Sequence, residues 1–309
     1  MKNSVFSKSF KGELLVFLSA MGFATMGVLG KMAYSHGLNT TTLLFLRFTI
    51  AAFILFFASH VFKKSLKMSL KDVLISFIFG FVAYNMVSFC YFYSLNYIPA
   101  SLTAVIFFTY PIFVTIFSFL IFKEQLTPNK ILSLVLGTVG ILAIVSPGKA
   151  VLDYRGVVFS LMGGVLYAFY VLGLSLPQVK KINSIKMSFY TNIFAALGMG
   201  IGALLSNSFV HPITAPAIGY AALIGIFATS VAMLALFAGV KRIGAVKGSI
   251  IANMEIVIAC ILGAVFLKEH MGIYQLMGAA LIITSAVMVS LPQKNIKAVV
   301  SLENSLETE

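Results

Sequence analysis

Residues 80–147 align with residues 225–292 without a gap, at a constant offset of 145 (225 − 80). Identities recur along both copies, among them Gly80/Gly225, Ala83/Ala228, Phe92/Phe237, Ala100/Ala245 and Ile116/Ile261. A shared Ile or Ala carries little weight in so apolar a chain. The doublets Lys123-Glu124 and Lys268-Glu269, with Pro147 and Pro292 in the same register, carry much more. The chain is two copies of one unit. Each copy holds about five apolar segments of membrane length, and an odd number forces the second copy to run inverted through the bilayer. Inverted repeats of this kind are the usual framework of carriers that alternate access between two sides of a membrane.

Composition agrees. Sixty per cent of the residues are apolar and 10% are charged, where a soluble domain carries about 25% charged residues. The mean hydropathy is +1.02. Cys90 and Cys260 both fall inside apolar runs, which argues against a disulfide framework and against a metal site. A bilayer core needs roughly 20 apolar residues per helix. Ten such spans are predicted, at 12–34, 40–62, 72–95, 99–122, 128–146, 156–176, 184–206, 217–240, 245–267 and 272–291. The expected fold is therefore an all-α polytopic membrane protein of ten transmembrane helices, arranged as two inverted five-helix repeats. A cytoplasmic N-terminus (1–11) precedes the first repeat (12–147). The second repeat (153–292) is followed by a polar tail (293–309) that reads as disordered and cytoplasmic.

A net charge of +13 would suggest nucleic acid in a soluble protein, but here the cations sort by membrane side. With the N-terminus inside, the outer segments hold only Lys31, Lys149, Arg155 and Lys268, and Arg47 lies within a span. The other 17 of the 22 Lys and Arg residues fall on the cytoplasmic side. That asymmetry places both termini in the cytoplasm.

Several local patterns resemble a known family. Thr109-Tyr110-Pro111 in the fourth span precedes the Lys123-Glu124 helix end and the Gly137-x-x-Gly140 span. The second copy has Glu255, then Lys268-Glu269 and Gly278; Lys31 and Leu46-Arg47-Phe48 complete the pattern. Together these resemble the EamA half-repeat of the drug/metabolite transporter superfamily, over essentially the whole chain. The resemblance implies five plus five inverted helices around a central cavity. It also implies a plasma-membrane carrier of small metabolites, often an exporter, with no enzyme activity. Ile256 stands where many members carry a proline after the glutamate, so no proline break is implied at that point.

Chemistry concentrates at a few positions. Glu255 lies about eleven residues into its span, where an ionised carboxylate must be paired, face water or be protonated. It reads as a proton-coupling group or an anchor for a cation, against a structural ion pair locking two helices. Arg47 reads as a gating or structural cation, as the holder of a substrate carboxylate, as the partner of Glu255, or as a side chain snorkelling toward the outer headgroups. Helical spacing puts Tyr84, Ser88 and Tyr91 on one face of the third span, with Asn85 alongside. A polar stripe on such a helix should face protein or a cavity. Tyr110 precedes the kinking Pro111, and Tyr167 shares a face with Tyr170. Asn253 and Glu255 are about 200° apart on an ideal helix. Both line one narrow cavity only if the helix is locally unwound.

No phosphate-binding glycine loop, nucleotide motif or metal-ligand cluster occurs. The expected substrate-binding set is Tyr84, Asn85, Tyr91, Tyr110, Tyr167 and Asn253, with Glu255 and Arg47 in coupling or gating. No cofactor is expected. The expected partners are a small-molecule substrate, the lipid bilayer and a proton as coupling ion, not nucleic acid, with a homodimer left open. The leading function is export of an amino acid or similar zwitterion by a secondary carrier. Movement of organic cations, held by Glu255 and aromatic faces, is the alternative. A channel or a membrane-embedded enzyme is remote, because polar groups at mid-depth are few.

Overall fold

Long apolar runs with few turn residues leave the backbone no partner but itself in lipid, so each run coils into helix. The computed structural model describes residues 2–63, 65–94, 97–98, 103, 106–124, 126–144, 153–210, 212–267 and 272–290. Lys149, Lys268, Glu269, His211, His270 and the 293–309 tail lie outside the described residues.

In chain order the helices are α1 (Lys2–Ser35), α2 (Thr40–Val61), α3 (Leu70–Ser94), α4 (Tyr110–Phe122) and α5 (Pro128–Ile144). The second half supplies α6 (Tyr154–Gly173), a short turn at Pro177–Lys181, α7 (Ser184–Leu205) and α8 (Ala215–Ile243). It ends with α9a (Ala245–Ala252), α9b (Met254–Leu267) and α10 (Ile273–Ser290). No strand occurs among the described residues. Six of these helices are long and apolar enough to cross a membrane, within α1, α2, α3, α6, α7 and α8; Tyr110–Phe122, Pro128–Ala143 and Leu276–Val289 are shorter apolar helices.

The helix ends follow from local chemistry. Asn39, Ser69, Asp153 and Asn183 each accept a backbone N–H of the following turn, capping α2, α3, α6 and α7. Gly244, at φ +84°, breaks the chain between α8 and α9a in a conformation that glycine adopts without strain.

The packing repeats the sequence symmetry. α5 lies along α10, and α2 along α7; α1 packs on α8 as α6 packs on α3. Exchanging the halves maps this set of neighbours onto itself. Glycines make the close approaches. A Cβ on Gly140 would sit 2.7 Å from the Gly278 carbonyl oxygen, which brings α5 and α10 into backbone contact. Gly80 of α3 abuts the Thr191 carbonyl of α7, and Gly225 of α8 abuts the Arg47 carbonyl of α2. Each repeat thus plugs a glycine into the second helix of the other.

Those two glycines sit in widened turns. Residues Ile78–Tyr84 of α3 and Ile224–Val231 of α8 are π-helical, and the two segments start within one residue of the repeat register (78 + 145 = 223). In α8 the hydroxyls of Thr229 and Ser230 donate to the carbonyls of Ile224 and Gly225, at 3.1 and 2.7 Å. Large apolar side chains cover the outside, such as Phe53 (64% exposed) and Leu205 (85%). A surface of that kind suits lipid.

Candidate functional site

Two helices are interrupted at matching places. The α4 helix begins after a turn at Phe108–Thr109, and α9a is separated from α9b by a turn at Asn253 (108 + 145 = 253). Around each turn the backbone tightens to three-residue hydrogen bonds. Thr109 N–H donates to Ile106 and Ile112 N–H to Thr109; Asn253 N–H donates to Ile250 and Ile256 N–H to Asn253. Pro111, lacking an N–H, accounts for the first break. Ile256, its counterpart (111 + 145 = 256), keeps its N–H and closes the second turn. The second interruption therefore forms without proline.

These breaks bring Tyr110 and Glu255, themselves repeat counterparts (110 + 145 = 255), to one region. Tyr110 is 1% exposed and its hydroxyl donates to the Ser249 carbonyl on α9a, at 3.4 Å. Its ring meets Tyr167 edge-on, with centroids 4.7 Å apart. The aromatic chain continues from Tyr167 to Tyr170 at 5.9 Å, to Tyr84 at 5.4 Å and to Phe48 at 5.2 Å. Tyr91 joins through Phe107, 5.0 Å from Tyr91 and 5.4 Å from Tyr167. Glu255 lies near Tyr84, Tyr91, Tyr110 and Tyr167. The Glu255 side chain is half-buried, and among the described residues it has no hydrogen bond and no cation partner.

Arg47 closes the other end of the wall. It is 2% exposed; Nη2 donates to the Tyr84 hydroxyl at 3.2 Å and Nη1 to the Met26 sulfur at 3.1 Å. Its guanidinium lies 4.5 Å from the Phe48 ring centroid and 5.6 Å from that of Phe92. Arg47 Nε has no partner, and no ion pair joins Arg47 to Glu255 or to any other described carboxylate. Tyr84 bonds Arg47 and lies near Glu255 as well.

The asparagines point elsewhere. Asn85 packs on Gly198 of α7, donating to the Phe81 carbonyl at 3.1 Å. Asn253 turns toward α5, where its Nδ2 would lie 3.4 Å from a Cβ on Gly137. The Oδ1 of each is buried without a partner. The fold thus gathers Tyr84, Tyr91, Tyr110, Tyr167, Glu255 and, through Tyr84, Arg47, while Asn85 and Asn253 sit in helix contacts. Tyr170, Phe48 and Phe107 join the wall without having stood among the expected site residues; the three-residue spacing of Tyr167 and Tyr170 was the available signal for the first.

Polar contacts also tie the helix ends. Lys247 of α9a pairs with Glu13 of α1 at 2.6 Å. Lys130 pairs with Glu124 at 2.6 Å, and the Ser118 hydroxyl donates to the same carboxylate. Burial alone would raise the Glu124 carboxyl, but the bonds from Lys130 and Ser118 outweigh it and hold the group below the usual range. At the opposite end, hydrogen bonds from Arg155 hold Asp153 below the ordinary carboxylate value. The Arg155 guanidinium lies 4.7 Å from the Tyr97 ring centroid. No cluster of three His, Cys, Asp or Glu suited to a metal occurs among the described residues.

An all-helical fold with apolar outer faces, two interrupted helices and a charged, aromatic interior defines a polytopic membrane protein of the transporter class. The chain belongs to the EamA-like transporter family, whose model matches residues 10–146 and again 154–291. It is similar to an uncharacterized transporter of Clostridium kluyveri, 23% identical over 90% of this chain and 92% of that one. A second uncharacterized transporter, from Archaeoglobus fulgidus, is 26% identical over 90% of this chain and 95% of its own length. Among solved structures, one crystal structure superposes with a TM-score of 0.77 over 90% of this chain and 95% of that chain. At 17% identity that likeness is one of fold.

Proposed function

We propose that the protein is a secondary carrier that exports a small zwitterion, an amino acid or a close relative, across the plasma membrane by alternating access. The observation that carries this reading is that Arg47, bonded to the Tyr84 hydroxyl, and Glu255, near the same tyrosine, are not paired with each other. A solute with a carboxylate at one end and an ammonium at the other matches that polarity. The tyrosine rings supply the apolar and cation-facing surface between them. In this scheme the fourth and ninth spans, interrupted at repeat-related turns, rearrange around the solute. Ten spans and two cytoplasmic termini complete the layout, supported by the sequence repeat and the cation asymmetry.

Counterflow in proteoliposomes tests it with matched analogues. A labelled amino acid should be transported, while its amide, lacking the carboxylate, and its deaminated acid, lacking the ammonium, should both be lost. The second reading, an organic-cation carrier, rests on the unpaired Glu255 beside the tyrosine faces. It predicts that the amide is retained and the deaminated acid lost. If neither zwitterion nor cation moves through folded protein, the carrier reading fails. Reporter fusions test the layout: an outward-active reporter after Lys294 would overturn the ten-span arrangement.

A further inference from the structure

The α2–α7 seam carries a second feature, outside the tyrosine wall. At the end of α2 a cleft of about 410 Å³ opens between Phe56, Ser59, His60, Lys63, Ser65 and Lys67. Directly beneath it runs a trough of about 460 Å³ along the same helix, lined by Thr49, Ile50, Phe53, Phe56, Phe189 and Ile193. Phe56 borders both, so the two hollows adjoin, a basic mouth next to an apolar body. Its ring packs on His60, with centroids 4.6 Å apart, and forms the wall at the junction.

The mouth is chemically one-sided. Two lysines line it and no carboxylate does. Neither ammonium has an acidic partner among the described residues. The Ser65 oxygen accepts from the Lys67 N–H at 3.2 Å, which leaves its own hydroxyl hydrogen free to donate. Lys63 sits at φ +49°, a conformation uncommon for a residue with a side chain. Lys186 of α7 donates to the Lys67 carbonyl at 2.7 Å and ties the loop across the seam to the second repeat.

We infer that this groove binds one anionic phospholipid, with the phosphate held by Lys63 and Lys67 and an acyl chain laid in the trough between α2 and α7. Charge complementarity selects the headgroup, and continuity with an apolar channel selects a lipid over a soluble phosphate. The site spans the two repeats, because α2 belongs to the first half and α7 to the second. The loop lies on the side that the cation asymmetry assigns to the cytoplasm, where the leaflet carries the anionic lipids.

Native mass spectrometry and thermal unfolding of the full chain in detergent test this with dioleoyl phosphatidylglycerol, dioleoyl phosphatidylcholine and inorganic phosphate as separate probes. Phosphatidylglycerol should bind as a single retained molecule and raise the unfolding temperature, while the other two should not. Removing both charges, Lys63→Gln with Lys67→Gln, should weaken phosphatidylglycerol binding about 25-fold, at about fivefold per lysine. Thr49→Trp, on an exposed position, should fill the trough and weaken it as well without altering charge. Lys181→Gln, exposed and outside the groove, should bind like the parent. Equal binding of phosphatidylcholine, or a double-lysine variant that binds within about twofold of the parent, would overturn the lipid site. Phosphate alone reproducing the stabilisation would instead make the mouth a soluble-anion pocket, which overturns the proposal too.

Discussion

The Tyr110 hydroxyl donates to the Ser249 carbonyl at 3.4 Å, so the residue that opens the interrupted helix of one repeat bonds the interrupted helix of the other. Residues 110 and 249 are 139 apart in sequence. Packing of the two halves against each other brings them together. The contact puts the repeat counterpart of Tyr110, Glu255, beside the same tyrosine wall.

Among the described residues Glu255 has no hydrogen-bond or ion-pair partner to orphan, so Glu255→Gln should cost well short of about 3–5 kcal/mol, the cost of breaking a buried ion pair. Transport should nevertheless be lost, because the amide keeps the shape and discards the charge. Detergent melting and proteoliposome flux of the same preparation read both quantities. An early melt with an equally early melt of Arg47→Gln would make the carboxylate a structural clamp.

Arg47→Gln should be costly by itself. It deletes the charged bond to Tyr84 and the stacking on Phe48, at about 2–3 kcal/mol. Tyr84→Phe removes only the bond and should cost less, about 1 kcal/mol. Chemical unfolding of both variants gives the ordering; an Arg47 variant as stable as the parent contradicts the buried role.

Gly80→Ala should destabilise by about 1–3 kcal/mol, since the new methyl would meet the Thr191 backbone carbonyl rather than a movable side chain. Gly219→Ala, where nothing lies within 4 Å, should be neutral or slightly stabilising. Thermal unfolding of the pair isolates close packing from helix propensity.

Glu124 gives a pH dependence with a definite sign. Its folded carboxyl is held below the unfolded value, so the unfolded chain binds the extra proton first. The stabilisation is present above about pH 4.3, the ordinary glutamate value, and is lost as pH falls through the lower folded value. Lys130→Gln should therefore be less stable than the parent at neutral pH, with the gap closing toward pH 3. Melting temperatures across that range measure it; a gap that widens on acidification contradicts the pairing.

The repeat and the two mid-span charges, Arg47 and Glu255, were legible in the chain, because offsets and lone charges are one-dimensional facts. So was the condition on α9: Asn253 and Glu255 diverge on an ideal helix, and the helix is interrupted between Ala252 and Met254. Side-chain destinations were less legible. Asn85 follows Tyr84 by one residue, yet a neighbouring glycine on α7 draws it into a helix contact. The π-helical turns share Gly80 and Gly225, and in α8 the hydroxyls of Thr229 and Ser230 bond carbonyls five residues back, a pattern the repeat register alone does not announce.

The α1–α8 contact sets a timetable for assembly in the cell. Gly22 packs on Phe227 and Ala232, and Gly12 packs on Gly239 and Ile243. At ribosomal speeds of about 5–20 residues per second, the 210 residues between Gly22 and Ala232 take roughly 10–40 s to emerge. For that interval the first helix waits in the bilayer with its small-residue face turned to lipid or to a chaperone. A ribosome that stalls before α8 lengthens the wait, and membrane insertase and quality-control factors then meet a half-built molecule whose earliest helix holds α2 but still lacks α8.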